Sequence, residues 1–161
     1  MTQKAAFNAE EWSTVVNAPA ITALLMIAAS KGGTVRETVA IGKAYQSVRE
    51  QHPGELMRAV LASPPGIDRA SAPQSPEELR RAAPAQLRQA LAILDRLATP
   101  EEVVDYKRFV YAVADTVARA HKEGGFLGIG GTQVSEHEQA ALDEIAALFD
   151  APPPSSRPEE E

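Results

Sequence analysis

The stretch Pro19-Ala-Ile-Thr-Ala-Leu-Leu-Met-Ile-Ala-Ala-Ser-Lys31 decides the fold, because as a helix it is apolar on nearly every face. In a soluble protein such a helix must be covered all round by others, so the stretch predicts the central helix of a bundle. Pro19 suits the first turn of that helix, and Gly32 and Gly33 mark its end. The apolar run, residues 18–29, is far shorter than the ~20 residues that cross a bilayer, so we expect no membrane span.

Helical patterns continue on both sides of this stretch, and strand patterns are nearly absent. Before it, Asn8 and Glu11 have the spacing of a capping box, which predicts a helix over residues 9–16 stapled by Phe7 and Trp12. After it, helix-spaced apolar residues recur in segments 34–51, 55–62, 84–98, 100–121 and 136–149. The expected fold is all-α, a single-domain bundle of about seven helices. One arrangement of this bundle would be a pseudo-twofold pair of helical hairpins.

Three further helix starts carry an N-cap residue, which predicts where those helices begin. Thr99-Pro100-Glu101-Glu102 combines an N-cap, a proline at the first helical position and a capping-box glutamate. Ser75 precedes a helical turn in the same way, and Ser135 precedes the last helix. An N-cap explains Ser135 better than a nucleophile does, since the sequence shows neither a nucleophile elbow nor a partnered base.

The length of 161 residues suits one domain, and two segments have the composition of irregular structure. Residues 63–75 are rich in proline and serine, which predicts a mobile loop within a helical domain spanning residues 1–150. Residues 151–161 are rich in proline and acidic side chains with nothing to bury, which predicts a disordered tail.

The formal charge of −6 is concentrated at one end of the chain. Residues 132–161 carry eight acids and one base, whereas residues 1–131 carry fourteen acids and fifteen bases. No stripe of Lys and Arg marks the nearly neutral part, so we expect no nucleic-acid partner. The absence of cysteine excludes disulfides, thiolate nucleophiles and thiolate metal sites. Residues 1–8 contain no apolar signal-peptide core, which favours a cytoplasmic location.

A glycine-rich loop separates the last two helices, and residues 124–131 hold five of the ten glycines. Three interpretations are open: an apolar plug between helices, an exposed hydrophobic site for a partner or ligand, and an anion cradle. The P-loop lysine is missing and three large apolar side chains are present, which favours the first two over the third. The candidate partner or ligand loop comprises Gly125, Phe126, Leu127, Gly128, Ile129 and Gly130.

Four side chains of metal-ligand type flank that loop: His121, Glu123, His137 and Glu138. Imidazole and carboxylate groups are suitable ligands for zinc or manganese, so the four form a candidate divalent-metal site. The helix dipole offers another explanation, because a cation is favoured at a helix C-terminus and an acid at a helix N-terminus without any metal. We expect no other cofactor.

Two stretches of the chain share one plan: an apolar helix, a glycine pair, a short turn and a second amphipathic helix. They cover residues 24–35 and 113–138, the second with an insertion. In this plan the chain resembles the TerB-like (tellurite-resistance) helical family over residues 21–149. The resemblance implies a stress-related role and a divalent cation held at acidic turn positions. Lys31 and Glu123 replace the family's aspartate before glycine, and only Glu138 matches its trailing glutamate, so at most half of such a site is present.

No set of residues forms a recognisable catalytic constellation, so we expect a protein that is not an enzyme. The leading hypothesis is a helical interaction or scaffold domain that binds a protein partner or a second copy of the chain. The alternative is a divalent-metal-binding protein of the TerB-like kind. A third hypothesis is a small-ligand carrier or enzyme with a cleft between the helical halves, near Tyr45, Tyr106 or Tyr111.

Overall fold

The computed structural model describes residues 1–29, 34–51, 53–67, 72–122 and 134–150, with only the backbone described for residues 34–38 and 121–122. Within these ranges the chain forms six α-helices and no strand, which confirms the all-α bundle. A short 3-10 helix, Lys4–Ala6, comes before the first of them. The six are α1 Ala9–Ala29, α2 Thr34–Glu50, α3 Glu55–Ala62, α4 Pro76–Leu97, α5 Pro100–Lys122 and α6 Glu136–Asp150.

Helix α1 occupies the centre of the bundle, as its apolar sequence predicts. It packs most extensively against α4 and α5, and it also touches α2, α3 and α6. One large apolar core joins residues of all six helices, and a smaller cluster of Ile21, Leu25, Leu79 and Ala83 fills the space between α1 and α4. Of the described helices, α1 alone is long and apolar enough to cross a membrane, but 61% of its most apolar window is buried inside the bundle.

The prediction that α1 is two helices separated near Pro19 is wrong. The helix runs unbroken from residue 9 to residue 29 with Pro19 inside it. Proline lacks an N–H, so the carbonyl of Val15, four residues earlier, loses its usual helical donor. The hydroxyl of Tyr106 on α5 donates to that carbonyl oxygen at 2.6 Å. A bond from another helix therefore replaces the one that Pro19 cannot make.

Helix α4 corrects the sequence prediction in a similar way. A helical turn at Ser75 and a separate helix from Pro84 were expected, whereas one helix begins at Pro76 and carries Pro84 in its interior. The Ser75 hydroxyl accepts a hydrogen bond from the Glu78 N–H at 3.1 Å, as predicted for an N-cap. The predicted N-cap at Ser75 is therefore confirmed, and the helix continues through Pro84.

Both predicted capping boxes, Asn8–Glu11 and Thr99–Glu102, are confirmed by reciprocal hydrogen bonds. Asn8 accepts a hydrogen bond from the Glu11 N–H at 2.8 Å, and the Glu11 carboxylate accepts one from the Asn8 N–H at 3.0 Å. The Phe7 and Trp12 rings pack with their centroids 5.3 Å apart, which confirms the predicted staple. Ser135 caps α6 by accepting a hydrogen bond from the N–H of Glu138 at 3.3 Å.

The predicted mobile loop at 63–75 is described only in part, at residues 63–67 and 72–75. Its first section is held against the central helix, because the Gly66 N–H donates to the Asn17 side-chain oxygen at 2.9 Å. Ile67 packs beside the smaller apolar cluster. Residues 68–71 and the tail 151–161 lie outside the described residues, as does the turn of the second predicted hairpin. The pseudo-twofold arrangement therefore stays a prediction.

Candidate functional site

The residues of the predicted sites are only partly described. The glycine loop, with Gly125, Phe126, Leu127, Gly128, Ile129 and Gly130, lies outside the described residues, as do Glu123 and the side chain of His121. The other two members of the candidate metal set, His137 and Glu138, stand on α6 in different surroundings. His137 is exposed and lines a cavity of about 430 Å³ between α1, α4 and α6, whereas Glu138 is 2% exposed. Among the described side chains no group of three or more His, Asp or Glu is placed to hold a metal ion.

Glu138 is unusual because one of its buried carboxylate oxygens has no partner. Its Oε2 accepts hydrogen bonds from the N–H and the hydroxyl of Ser135, both at 2.8 Å. Its Oε1 makes no hydrogen bond. The equivalent oxygen of Glu11 accepts from Arg96 at 2.6 Å, and that of Glu102 accepts from the Thr2 N–H at 2.8 Å. The most buried of these three capping carboxylates is thus the one with an unused acceptor, which normally costs free energy.

A groove that the sequence did not reveal lies between α2, α3 and α5. It consists of two adjoining cavities of about 720 and 360 Å³, which share Pro53 and Gly54. We call it the arginine groove, after the three arginines that line it. The larger cavity is lined by Met1, Arg49, Pro53, Gly54, Arg58, Leu61 and Ala62. The smaller one is lined by Ala44, Ser47, Val48, Gln51, Pro53, Gly54, Met57, Asp105, Arg108, Phe109, Ala112 and Thr116.

Short-range sequence features shape the middle of the arginine groove. Helix α3 begins after Pro53 and Gly54 and is only eight residues long. One of its faces buries Leu56, Met57, Val60 and Leu61 in the core, which leaves Arg58 exposed to solvent. At its other end, the guanidinium of Arg49 donates to the carbonyl of Leu61. A cation is favoured at that position because the last carbonyls of a helix lack intrahelical donors.

The arginine groove is positively charged although the whole chain carries −6. Arg49, Arg58 and Arg108 line it together with a single acid, Asp105. Arg108 lies 3.4 Å from the Asp105 carboxylate, with both side chains well exposed, so that pair is weak. Arg58 makes no ion pair with any other described residue. Cationic donors are therefore available to an acidic ligand in this groove.

The first residue of the N-terminal strap, residues 1–7, lies at the arginine groove. Met1 is 88% exposed and lines the larger cavity. Its neighbour Thr2 is buried, and the Thr2 N–H and hydroxyl donate to the two carboxylate oxygens of Glu102 at 2.8 and 2.7 Å. Burial by itself would raise the pKa of Glu102. The hydrogen bonds from Thr2 and from the Thr99 N–H outweigh this effect and lower that pKa to about 2.

The three tyrosines proposed for a catalytic or ligand cleft lie elsewhere. Tyr106 is fully buried, and burial holds its pKa well above the ordinary value. Burial also raises the pKa of Tyr45 to about 12, and its hydroxyl is buried without a hydrogen-bond partner. Tyr111 is partly exposed. None of the three lines the arginine groove, and the raised pKa values of Tyr45 and Tyr106 make their phenolate forms even less accessible than in an exposed tyrosine.

Fold and groove together define a class of protein: an all-α bundle whose central apolar helix is enclosed and whose surface carries an open, arginine-lined groove. No protein-family model, curated protein or solved structure matches this chain. The resemblance to the TerB-like family therefore stays a prediction.

Proposed function

We propose that this protein is a non-enzymatic helical interaction domain of the cytoplasm, and that it binds a protein partner in the arginine groove. The groove is the observation that carries the proposal, since it combines apolar walls with cationic side chains at the surface. Aliphatic walls provide burial, and arginine is enriched in the residues that dominate protein interfaces.

The shape of the groove favours a macromolecular partner over a small ligand. Its larger cavity falls within the range of small-molecule sites by volume, at about 720 Å³. Such sites, however, bury most of the surface of their ligand, whereas this cavity is open to solvent. Its described lining also lacks a nucleophile paired with a base. In the smaller cavity, no histidine stands beside Ser47 or Thr116 among the described lining residues, and the Asp105 carboxylate pairs with Arg108.

A photocrosslinking side chain at position 54 tests the proposal. Gly54 lines both cavities, and an added Cβ would meet nothing within 4 Å, so the groove can accept a side chain there. Gly42 on α2 is exposed with equally open surroundings and lines neither cavity, which makes it the matched control position. After illumination of the cells that express the protein, we expect a defined protein adduct from position 54 and none from position 42.

Equal labelling from both positions would contradict a specific interaction site at the groove, and so would no labelling from position 54. Purified Gly54→Leu protein should also lose the adduct partner while keeping its thermal midpoint within a few degrees. The substituted residue is an N-cap, where replacing glycine costs about 1 kcal/mol or less.

A second candidate function is binding of a divalent cation, in keeping with the TerB-like resemblance. The specific observation that favours it is Oε1 of Glu138, a buried carboxylate oxygen without a partner. Calorimetric titration with Zn²⁺, Mn²⁺ and Ca²⁺ is the test. We expect binding heat in the natural protein, at least a tenfold loss of affinity in Glu138→Gln, and little change in His137→Ala, because the His137 side chain faces solvent. Heat that is absent, or unchanged in Glu138→Gln, would exclude Glu138 as a ligand.

A further inference from the structure

We propose that the occupant of the arginine groove is an acidic peptide segment of the partner, with an apolar side chain inserted into the larger cavity. This inference rests on the proposed interaction function and adds the chemistry of the partner. Two features are juxtaposed in the groove: guanidinium groups with free donors, and an apolar wall beside them.

The charges of the groove select an acidic partner. Arg58 has no ion-pair partner among the described residues, and Arg108 has only a weak, exposed contact with Asp105. Each guanidinium can donate two parallel hydrogen bonds to a carboxylate, a geometry that lysine does not offer. The excess negative charge of the chain lies in residues 132–161, so α6, which carries acids and no base, repels an acidic segment. Repulsion at α6 and attraction at the arginines together favour the groove as the site for such a segment.

The walls of the groove select a peptide with an apolar anchor. In the larger cavity Met1, Pro53 and Ala62 present aliphatic surface next to Arg49 and Arg58. Methionine is an adaptable contact, because its unbranched, polarisable side chain repacks around different partners. Met1 is 88% exposed in the free protein, so a partner would bury apolar surface that water now covers.

A nucleic acid fits these features less well than a peptide does. Single strands are bound by basic grooves with exposed aromatic rings on which bases stack. The aromatic ring that lines the arginine groove, Phe109, is 2% exposed and packs edge-on against Tyr45 at a centroid distance of 4.9 Å. It therefore offers no free face for stacking.

Fluorescence anisotropy with the full-length protein tests the inference. The probe is a short labelled peptide in which glutamates flank a central Leu-Phe pair, and the matched peptide has lysine in place of each glutamate. We expect saturable binding of the acidic peptide only, weakened about tenfold by Arg58→Glu and further by Arg108→Glu. Added salt should weaken it as well. Arg81→Glu is the matched control, because Arg81 is exposed on α4 and lines neither cavity.

Three results would overturn the inference. They are equal binding of the lysine peptide, no binding of the acidic peptide, and binding that Arg58→Glu and Arg81→Glu reduce equally. Sedimentation that shows a dimer dissolved by Arg58→Glu would assign the groove to a second copy of the chain instead. The photocrosslinking from position 54 tests the proposed interaction function separately from the peptide experiment. A partner crosslinked from position 54, without binding of the acidic peptide by the natural protein, would refute only the chemistry inferred here.

Discussion

Tyr106→Phe is expected to lower the free energy of unfolding by about 2 kcal/mol, because it leaves a buried carbonyl without a donor. The Tyr106 hydroxyl donates to the Val15 carbonyl oxygen at 2.6 Å, and the tyrosine side chain is completely buried. Loss of one hydroxyl changes the packing very little, so the loss of stability reports mainly the hydrogen bond. Urea unfolding at neutral pH, followed by far-ultraviolet circular dichroism, measures it.

The substitution Pro19→Ala is the control that separates the effect of this hydrogen bond on stability from the effect of packing. In Pro19→Ala the backbone at residue 19 regains an N–H, which can donate to the Val15 carbonyl along the helix. Tyr106→Phe should therefore cost less than half as much in the Pro19→Ala background as beside Pro19. A double-mutant cycle gives the coupling directly. Equal costs of Tyr106→Phe in the two backgrounds would show that the hydroxyl does not replace the missing helical bond.

Tyr45→Phe provides a matched comparison with the opposite expectation. The Tyr45 hydroxyl is buried without a hydrogen-bond partner, so the structure already contains an unsatisfied polar group there. Removing a buried hydroxyl without a partner is neutral or slightly stabilising. A loss for Tyr45→Phe as large as that for Tyr106→Phe would mean that both substitutions act through packing alone.

The contrast between the start and the middle of α1 shows which parts of the fold can be predicted from the sequence. The Asn8–Glu11 capping box and the Phe7–Trp12 staple involve residues three to five positions apart, so local chemistry was enough to predict them. The passage of the helix through Pro19 depends on Tyr106, which is far away in the chain. Local rules predict a boundary at the proline, because they cannot include a donor from another helix. Pro19 has no N–H to donate to the Val15 carbonyl, so the sequence did indicate that a continuous helix would need a donor from elsewhere at that carbonyl.

The candidate site was less predictable than the fold for the same reason. The arginine groove is assembled from α2, α3, α5 and Met1, and no sequence motif links these segments. Exposed arginines such as Arg58 look like ordinary solvated residues until the neighbouring helices are placed. Glu138 and His137 are adjacent in sequence and were grouped as ligands, but successive helical residues point about 100° apart. Glu138 consequently faces the interior, while His137 faces solvent.

Glu102→Ala is expected to lower the free energy of unfolding by about 2 kcal/mol at neutral pH, because charge-assisted hydrogen bonds are lost together. The Glu102 carboxylate accepts from the N–H and hydroxyl of Thr2 and from the N–H of Thr99. Three such bonds in a fully buried site would contribute more, but Glu102 is only partly buried and solvent screens them. Glu101→Ala is the matched control, since Glu101 occupies the same helical turn and is exposed.

The pH dependence of this loss tests whether the charge of Glu102 is responsible. Its pKa falls from 4.5 to about 2 on folding, so its contribution is complete above the unfolded value and is lost as the pH drops through that interval. The difference in unfolding free energy between the natural protein and Glu102→Gln should therefore shrink steadily from pH 5 to about pH 2.

Release of the N-terminal strap adds a second readout, because Thr2 holds Met1 against the arginine groove through the same carboxylate. Thr2 is 9% exposed, so in Glu102→Gln its methyl resonance should move toward its random-coil position. The same resonance in the natural protein should shift only as the pH approaches about 2, where the carboxylate takes up its proton. A stability difference that is constant with pH, together with an unmoved Thr2 resonance, would show that the carboxylate charge does not hold the strap.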